Sequence, residues 1–113
     1  MPVLVTAVIK PSKLDDVQAS LKAAGVQGMT VTEVKGFGRQ GGQTETYRGA
    51  EYVISFLPKL KVEVICDDAS AGTVVEVLTA SAKTGKIGDG KVWAFPLSHL
   101  VRIRTGETGS EAV

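Results

Sequence analysis

The feature that most restricts how this chain can fold is a pattern that occurs twice along its 113 residues: an apolar run, a helical stripe, then another strand. In the first copy, Leu4 to Lys10 (LVTAVIK) is short, apolar and β-branched and stops at Pro11, as a buried strand does. Leu14, Val17, Leu21 and Ala24 follow at helical spacing, Ser12 and Asp15 stand at capping-box separation, and Gly25 and Gly28 end the helix. Met29 to Lys35 then alternates, with Met29 and Val31 against Thr30 and Thr32. In the second copy, Leu60, Val62 and Val64 face away from Lys59, Lys61 and Glu63. Asp67, Asp68 and Ser70 offer N-cap chemistry to a helix striped by Ala71, Val75, Leu78 and Ala82, and Val92 to Phe95 is the closing strand. Val101 to Arg104 alternates as a further short strand, and 105–113 reads as a polar tail.

The order β-α-β-β-α-β predicts a ferredoxin-like α+β sandwich, one domain over 1–113. Both helices can cover the same sheet face, which leaves the other for a neighbour, so a homo-oligomer is expected. Between the two copies, 36–55 holds five glycines and no sustained apolar face. This long connection, about 38–56, is expected to be a flexible loop, and connections beyond ~12–15 residues are often functional.

One Cys and one His cannot build a disulfide frame or a Cys/His metal cage, so a reducing cytoplasm is expected. No basic leader precedes the first strand, and Lys10 interrupts the apolar run well short of the ~20 residues a membrane span needs. Thirteen basic against twelve acidic residues give a net charge of +1, so anion binding must be local rather than a property of the whole surface.

Three clusters could provide it. Thr84 to Lys91 (TGKIGDGK) carries the G-x-x-x-x-G-K part of a phosphate loop, but Val92 replaces the magnesium-binding hydroxyl and a strand follows instead of a helix. A P-loop NTPase is thereby rejected. Its glycines still allow successive amides to converge on an anion beside Lys91, or the segment is a plain tight turn. Gly36-Phe37-Gly38-Arg39-Gln40 follows a strand, where glycines permit close ligand approach or a simple exit into the loop. Arg102 and Arg104, two apart on a strand, put both guanidiniums on one face, suited to phosphate or to solvent. Lys59 and Glu63 share a face as well, Tyr52 stands in the loop, and Trp93 and Phe95 share a face as core or interface residues. His99 lacks metal-spaced partners, and Cys66 reads as a small buried hydrophobe. Together Arg39, Lys91, Arg102 and Arg104 could oppose the roughly four charges of a triphosphate. No Ser/His/Asp set, Cys/His pair or carboxylate pair beside a nucleophile supports catalysis.

Over nearly its whole length the sequence resembles the PII family of nitrogen-regulatory signal-transduction proteins. The resemblance is carried by Ile9-Lys10-Pro11 with Leu14-Asp15-Asp16-Val17, by the run from Gly28 to Gln40 (GMTVTEVKGFGRQ), by Tyr47 to Tyr52 (YRGAEY), by Thr84 to Lys91, and by Val101 to Glu107 (VRIRTGE). It implies a homotrimer of ferredoxin-like subunits with nucleotide sites between neighbours, where ATP and ADP compete and 2-oxoglutarate joins magnesium-ATP, without a prosthetic group. By matching positions, Thr30, Gly38, Arg39 and Ile65 line the nucleotide cleft and Gly88, Asp89, Gly90 and Lys91 cradle the phosphates. Arg102 and Arg104 reach in from the neighbouring subunit, Gln40 helps hold magnesium, and Lys59 pairs with a carboxylate of 2-oxoglutarate. The resemblance further implies a non-enzymatic sensor whose loop answers to ammonium channels, nucleotidyltransferases and nitrogen-metabolism enzymes or regulators, with Tyr52 open to UMP or AMP transfer.

Ala50 occupies the position of a phosphorylatable serine in cyanobacterial relatives, which closes that route, and Gly41, Gln43 and Ser55 depart from the Lys, His and Asp of enteric ones. These changes bear on partner choice more than on ligand binding. Two other readings compete. A phosphoryl-transfer enzyme is suggested by the near-P-loop and opposed by the missing base. An RNA-binding module on the same sheet is opposed by neutral charge and by six aromatics without an RNP pattern.

Overall fold

A computed structural model describes residues 1–37, 43–47, 50–54 and 56–113, the two short middle stretches as backbone only. Strand β1 (Pro2–Ile9) leads through a 3-10 turn (Pro11–Lys13) into helix α1 (Leu14–Ala23), and β2 (Thr30–Gly36) follows. A hairpin of β3 (Gln43–Tyr47) and β4 (Ala50–Ile54) precedes β5 (Leu57–Asp67), α2 (Asp68–Ala82) and β6 (Lys91–Pro96). β2, β5, β1 and β6 form one antiparallel sheet in that order, the ferredoxin-like arrangement, with β3–β4 as a separate pair. The core lies between the helices and one sheet face. Val3, Val5, Ala7 and Ile9 of β1 and Val62, Val64 and Cys66 of β5 meet Val17 and Leu21 of α1 and Val74, Leu78 and Ala82 of α2 there.

Several local expectations are corrected. The segment 36–55 is not patternless throughout, since β3 and β4 pair in register from Gln43↔Ile54 to Tyr47↔Ala50. The Ser12–Asp15 box does not form: Pro11 starts a 3-10 turn, Lys13 takes the N-cap position without a side-chain cap, and its ammonium instead meets Asp16 at 3.2 Å. The stripe on α2 centres on Val74 rather than Val75, which is only partly buried. Val101 to Arg104 is not a strand. Val101 makes one bridge to Thr108, and a tight turn closes through Gly106 N–H to Arg102 C=O at 2.8 Å and Arg102 N–H to Glu107 C=O at 2.9 Å. The supposed tail thereby folds back on itself and ends in a 3-10 turn over Gly109–Ala112.

The second sheet face carries no helix. Strand register sorts it into rows: Val34–Lys59, then Lys91–Val8–Lys61–Thr32, then Trp93–Thr6–Glu63–Thr30, then Phe95–Leu4–Ile65. One end is therefore rich in lysine and the other is apolar. Trp93, Phe95 and Ile65 are each more than two-fifths exposed, so the aromatic pair lies outside the core, on the uncovered face. No helix among the described residues is long and apolar enough to cross a membrane.

Candidate functional site

The lysine-rich end is where the glycine-rich turn docks. Gly90 has a positive φ of 95°, and a Cβ there would lie 1.7 Å from the carbonyl oxygen of Val8. Only glycine lets the chain pass so close to β1 before it starts β6 at Lys91. Gly85 and Gly88 also take positive φ, which turns successive peptide units within a few residues. Asp89 closes the turn from inside: its carboxylate accepts the Thr84 hydroxyl and, at 2.9 Å each, the amides of Thr84 and Gly85. Lys10, the residue after β1, donates to Thr84 Oγ1 at 3.1 Å and lies 3.3 Å from Asp89 Oδ1. The Thr84 hydroxyl, the two amides and Lys10 hold the Asp89 carboxyl well below the usual carboxylate range, against a smaller opposing effect of desolvation.

Lys59 approaches the same turn from β5. Its side chain is buried beneath Gly36, and its ammonium donates to the Gly88 carbonyl at 2.7 Å. Burial pushes this lysine below its ordinary range, the neighbouring Lys10 charge adds to that, and Asp89 opposes it. Lys91, which follows the turn at the start of β6, is exposed. Four sequence-predicted residues (Gly88, Gly90, Lys91 and Lys59) thus gather around one turn, with Asp89 pointing inward.

The other candidates lie elsewhere. Thr30 opens β2, and Ile65 is six residues along β5 from Lys59, roughly 20 Å at strand rise. Both border an open recess of about 800 Å³ together with Gly28, Met29, Glu63 and Val113. Arg102 belongs to this end. Its guanidinium pairs with Glu107 at 3.2 Å and donates to the Val113 carbonyl at 2.8 Å, while Arg104 is exposed on the tight turn. Gly38, Arg39 and Gln40 lie outside the described residues. Tyr52 sits on β4 opposite Glu45 in backbone register, and its side chain is likewise outside them. Phe37 and Phe56, flanking that segment, meet in a tilted arrangement at 6.2 Å between centroids and 58° between planes. Among the described residues no three His, Cys, Asp or Glu side chains gather as a metal site.

Reading residues singly missed Lys10 as part of the site and gave Thr84 no role of its own within the 84–91 turn. The signal for Thr84 and Asp89 was their spacing of five across a glycine pair, whereas nothing local marks Lys10, which reaches the turn only through the docking of β6 on β1.

The family model for the nitrogen regulatory protein P-II matches residues 3–107. Among named relatives, a nitrogen regulatory protein P-II of Rhizobium etli is 59% identical over 110 residues, covering 97% of this chain and 98% of its own. That of Cereibacter sphaeroides is 57% identical, and P-II 1 of Escherichia coli is 54% identical; each alignment covers 96% of this chain and 97% of the relative. The chain belongs to the P-II family. It is accordingly a signal transducer of nitrogen regulation. The relatives carry the names of regulatory proteins, not of enzymes.

Two outcomes follow from the P-II turn geometry. Gly90→Ala should lower the midpoint of thermal unfolding by at least about 5 °C, since left-handed strain of ~1–3 kcal/mol adds to a backbone collision. Gly25→Ala, also at positive φ but with nothing within 4 Å of the new Cβ, should cost only about 1–2 kcal/mol. Secondly, because folding depresses the pKa of Asp89, its ionised form stabilises the fold above the unfolded value near ~3.9, and that contribution is lost as pH falls below it. The difference in melting temperature between wild type and Asp89→Asn should therefore be constant from pH 7 to 5 and shrink steadily below pH 4.

Proposed function

We propose that this P-II protein is a non-enzymatic sensor of ATP, ADP and 2-oxoglutarate. The observation that carries the reading is the layout of its open sheet face: an anion-suited turn at one end, an open recess with Arg102 at the other, and exposed apolar side chains beside the recess. On one chain the two ends are too far apart to act on the same phosphate group. If copies of the chain pack through Trp93, Phe95 and Ile65, the turn of one meets the Thr30–Ile65–Arg102 end of the next. A homotrimer built this way closes a ring in which each seam holds one nucleotide.

In each seam Gly88, Gly90 and Lys91 bind the phosphates, Thr30 and Ile65 line the cleft, and Arg102 and Arg104 add guanidiniums from the neighbour. Arg102 would exchange Glu107 for the phosphate oxygens. Gly38 and Arg39 complete the cleft, and Gln40 supplies a protein oxygen to magnesium. Asp89 is engaged with the turn's own donors, so it would not serve as a metal ligand. Magnesium, when bound with help from Gln40, would neutralise ligand charge. Lys59 pairs with a 2-oxoglutarate carboxylate while close to Gly88, so each ligand improves the other's site, typically by ~1–3 kcal/mol. Gln40 stands at the base of the 38–56 loop, and its engagement selects the loop conformation that ammonium channels, nucleotidyltransferases and metabolic enzymes or regulators read in the cytoplasm. Tyr52 on β4 is the acceptor for a UMP or AMP group, which adds negative charge to that surface.

Calorimetry tests the assignment. Lys91→Ala should weaken ATP by about 1.5–3 kcal/mol, the scale of a charge-assisted hydrogen bond. Lys59→Ala should remove 2-oxoglutarate binding and weaken ADP only slightly, through release of the Gly88 carbonyl. Unchanged ATP affinity in the first variant would count against the phosphate role of the turn. Sedimentation should give about three times the 11.8 kDa chain mass, and Phe95→Lys should shift that value toward the single chain. A wild-type protein that sediments as a single chain would sink the shared-seam reading.

A further inference from the structure

A carboxylate inside an anion-binding turn poses an electrostatic problem. Asp89 lies between Gly88 and Gly90, whose backbone is suited to holding phosphate, and at pH 7 it carries a negative charge that repels one. Its side chain retains about a quarter of its exposure, so solvent does not remove that repulsion entirely. Lys10 answers it from a different element. Its ammonium is 3.3 Å from Asp89 Oδ1 and donates to the Thr84 hydroxyl, which in turn donates to the same carboxylate. The pair is largely shielded, with side-chain exposures of 19% for Lys10 and 24% for Asp89, so the attraction is less screened than in a surface ion pair. Asp89 also receives the Thr84 and Gly85 amides, so the carboxylate orders the start of the turn while Lys10 offsets its charge.

We infer that Lys10 is a positioning residue for the phosphate turn, anchoring and neutralising Asp89 so that Gly88, Gly90 and Lys91 face an incoming phosphate in a preset backbone without a repelling charge. This rests on the nucleotide-sensor reading above. Lys10 does not need to touch the ligand, because it acts through Asp89 and Thr84. The benefit is preorganisation: a turn already ordered loses less entropy when the anion binds. A nearby surface lysine has no such role, since Lys13 pairs with Asp16 on α1, away from the turn.

Two measurements separate this inference from the reading it rests on. Hydrogen exchange on the ligand-free protein should show the Thr84 and Gly85 amides exchanging at least tenfold faster in Lys10→Met, unchanged in Lys13→Met, and close to wild type in Lys10→Arg. Calorimetry with ATP should show a 5- to 20-fold loss of affinity in Lys10→Met that shrinks as salt is raised and is largely recovered in Lys10→Arg. Adding Asp89→Asn to Lys10→Met should cause no further loss, because the charge that Lys10 offsets is gone. Should Lys10→Met not fold, Thr84→Val removes the relaying hydroxyl without touching β1 and should give the same exchange and affinity pattern. Unchanged exchange at Thr84 and Gly85, or fully additive losses in the double variant, would overturn the role of Lys10. A wild-type protein that does not bind ATP would overturn the sensor reading instead, and the exchange experiment would still decide the anchoring.

Discussion

The structure around the candidate site depends on one close approach, the backbone of Gly90 against the carbonyl of Val8. That contact fixes where the chain leaving α2 meets β1, and it does so at the end of β1 where Lys10 emerges and beside the part of β5 that carries Lys59. Three elements distant in sequence therefore converge on the turn between α2 and β6. The hydrogen bonds from Lys59 to Gly88 and from Lys10 to Thr84 follow from that docking and reinforce it. A residue with a side chain at position 90 would separate β6 from β1 or displace the turn. In either case Asp89 would move away from Lys10.

Much of this was readable from residue pattern, and the boundary between what was and what was not has a physical basis. Alternation placed Lys59 and Glu63 on one face and Val62 and Val64 on the other, because side chains on a strand alternate strictly and the apolar set must be buried. The same rule put Trp93 and Phe95 together, but it could not say whether their face is covered, and the structure leaves it open. Pattern failed where hydrogen bonds between neighbouring backbone groups compete with strand pairing. Arg102 and Arg104 alternate like strand residues, yet the glycine at 106 and the Arg102–Glu107 pair favour a tight turn. Likewise Pro11 selects a 3-10 start over the capping box that Ser12 and Asp15 suggested. Helix α1, by contrast, stops where its glycine indicated. Gly25 at positive φ and Val26 return hydrogen bonds to Lys22 and Leu21, at 3.1 and 3.0 Å, the paired closure of a glycine C-cap.

The candidate site was legible as residue types and much less so as partners. Glycines and a lysine in TGKIGDGK suit either an anion-binding turn or a plain tight one, and residue type alone does not choose between them. What they could not announce is that Asp89 spends its hydrogen-bonding capacity on Thr84 and Gly85, or that the countercharge comes from Lys10, just past β1 and 79 positions earlier. Sequence distance hides such pairs because the sheet order β2-β5-β1-β6 brings the first and last strands together only after folding.

That same order gives the open face its polarity. β1 and β5 are the central strands, and their register sets lysines at one end of the face against Leu4, Ile65 and Phe95 at the other. A face that is charged at one end and apolar at the other is poorly suited to pack on a copy of itself in an isologous dimer with like ends superposed, because lysine ends would meet. Packing that turns each copy relative to the next lets the apolar end of one approach the lysine end of another, and a rotation that closes produces a ring. In such a ring a phosphate held at the seam offsets the lysine and arginine charges that the seam brings together. On the proposed reading, nucleotide binding and assembly would share one electrostatic balance, with Asp89 the only carboxylate in the 84–91 turn and Lys10 already set against it.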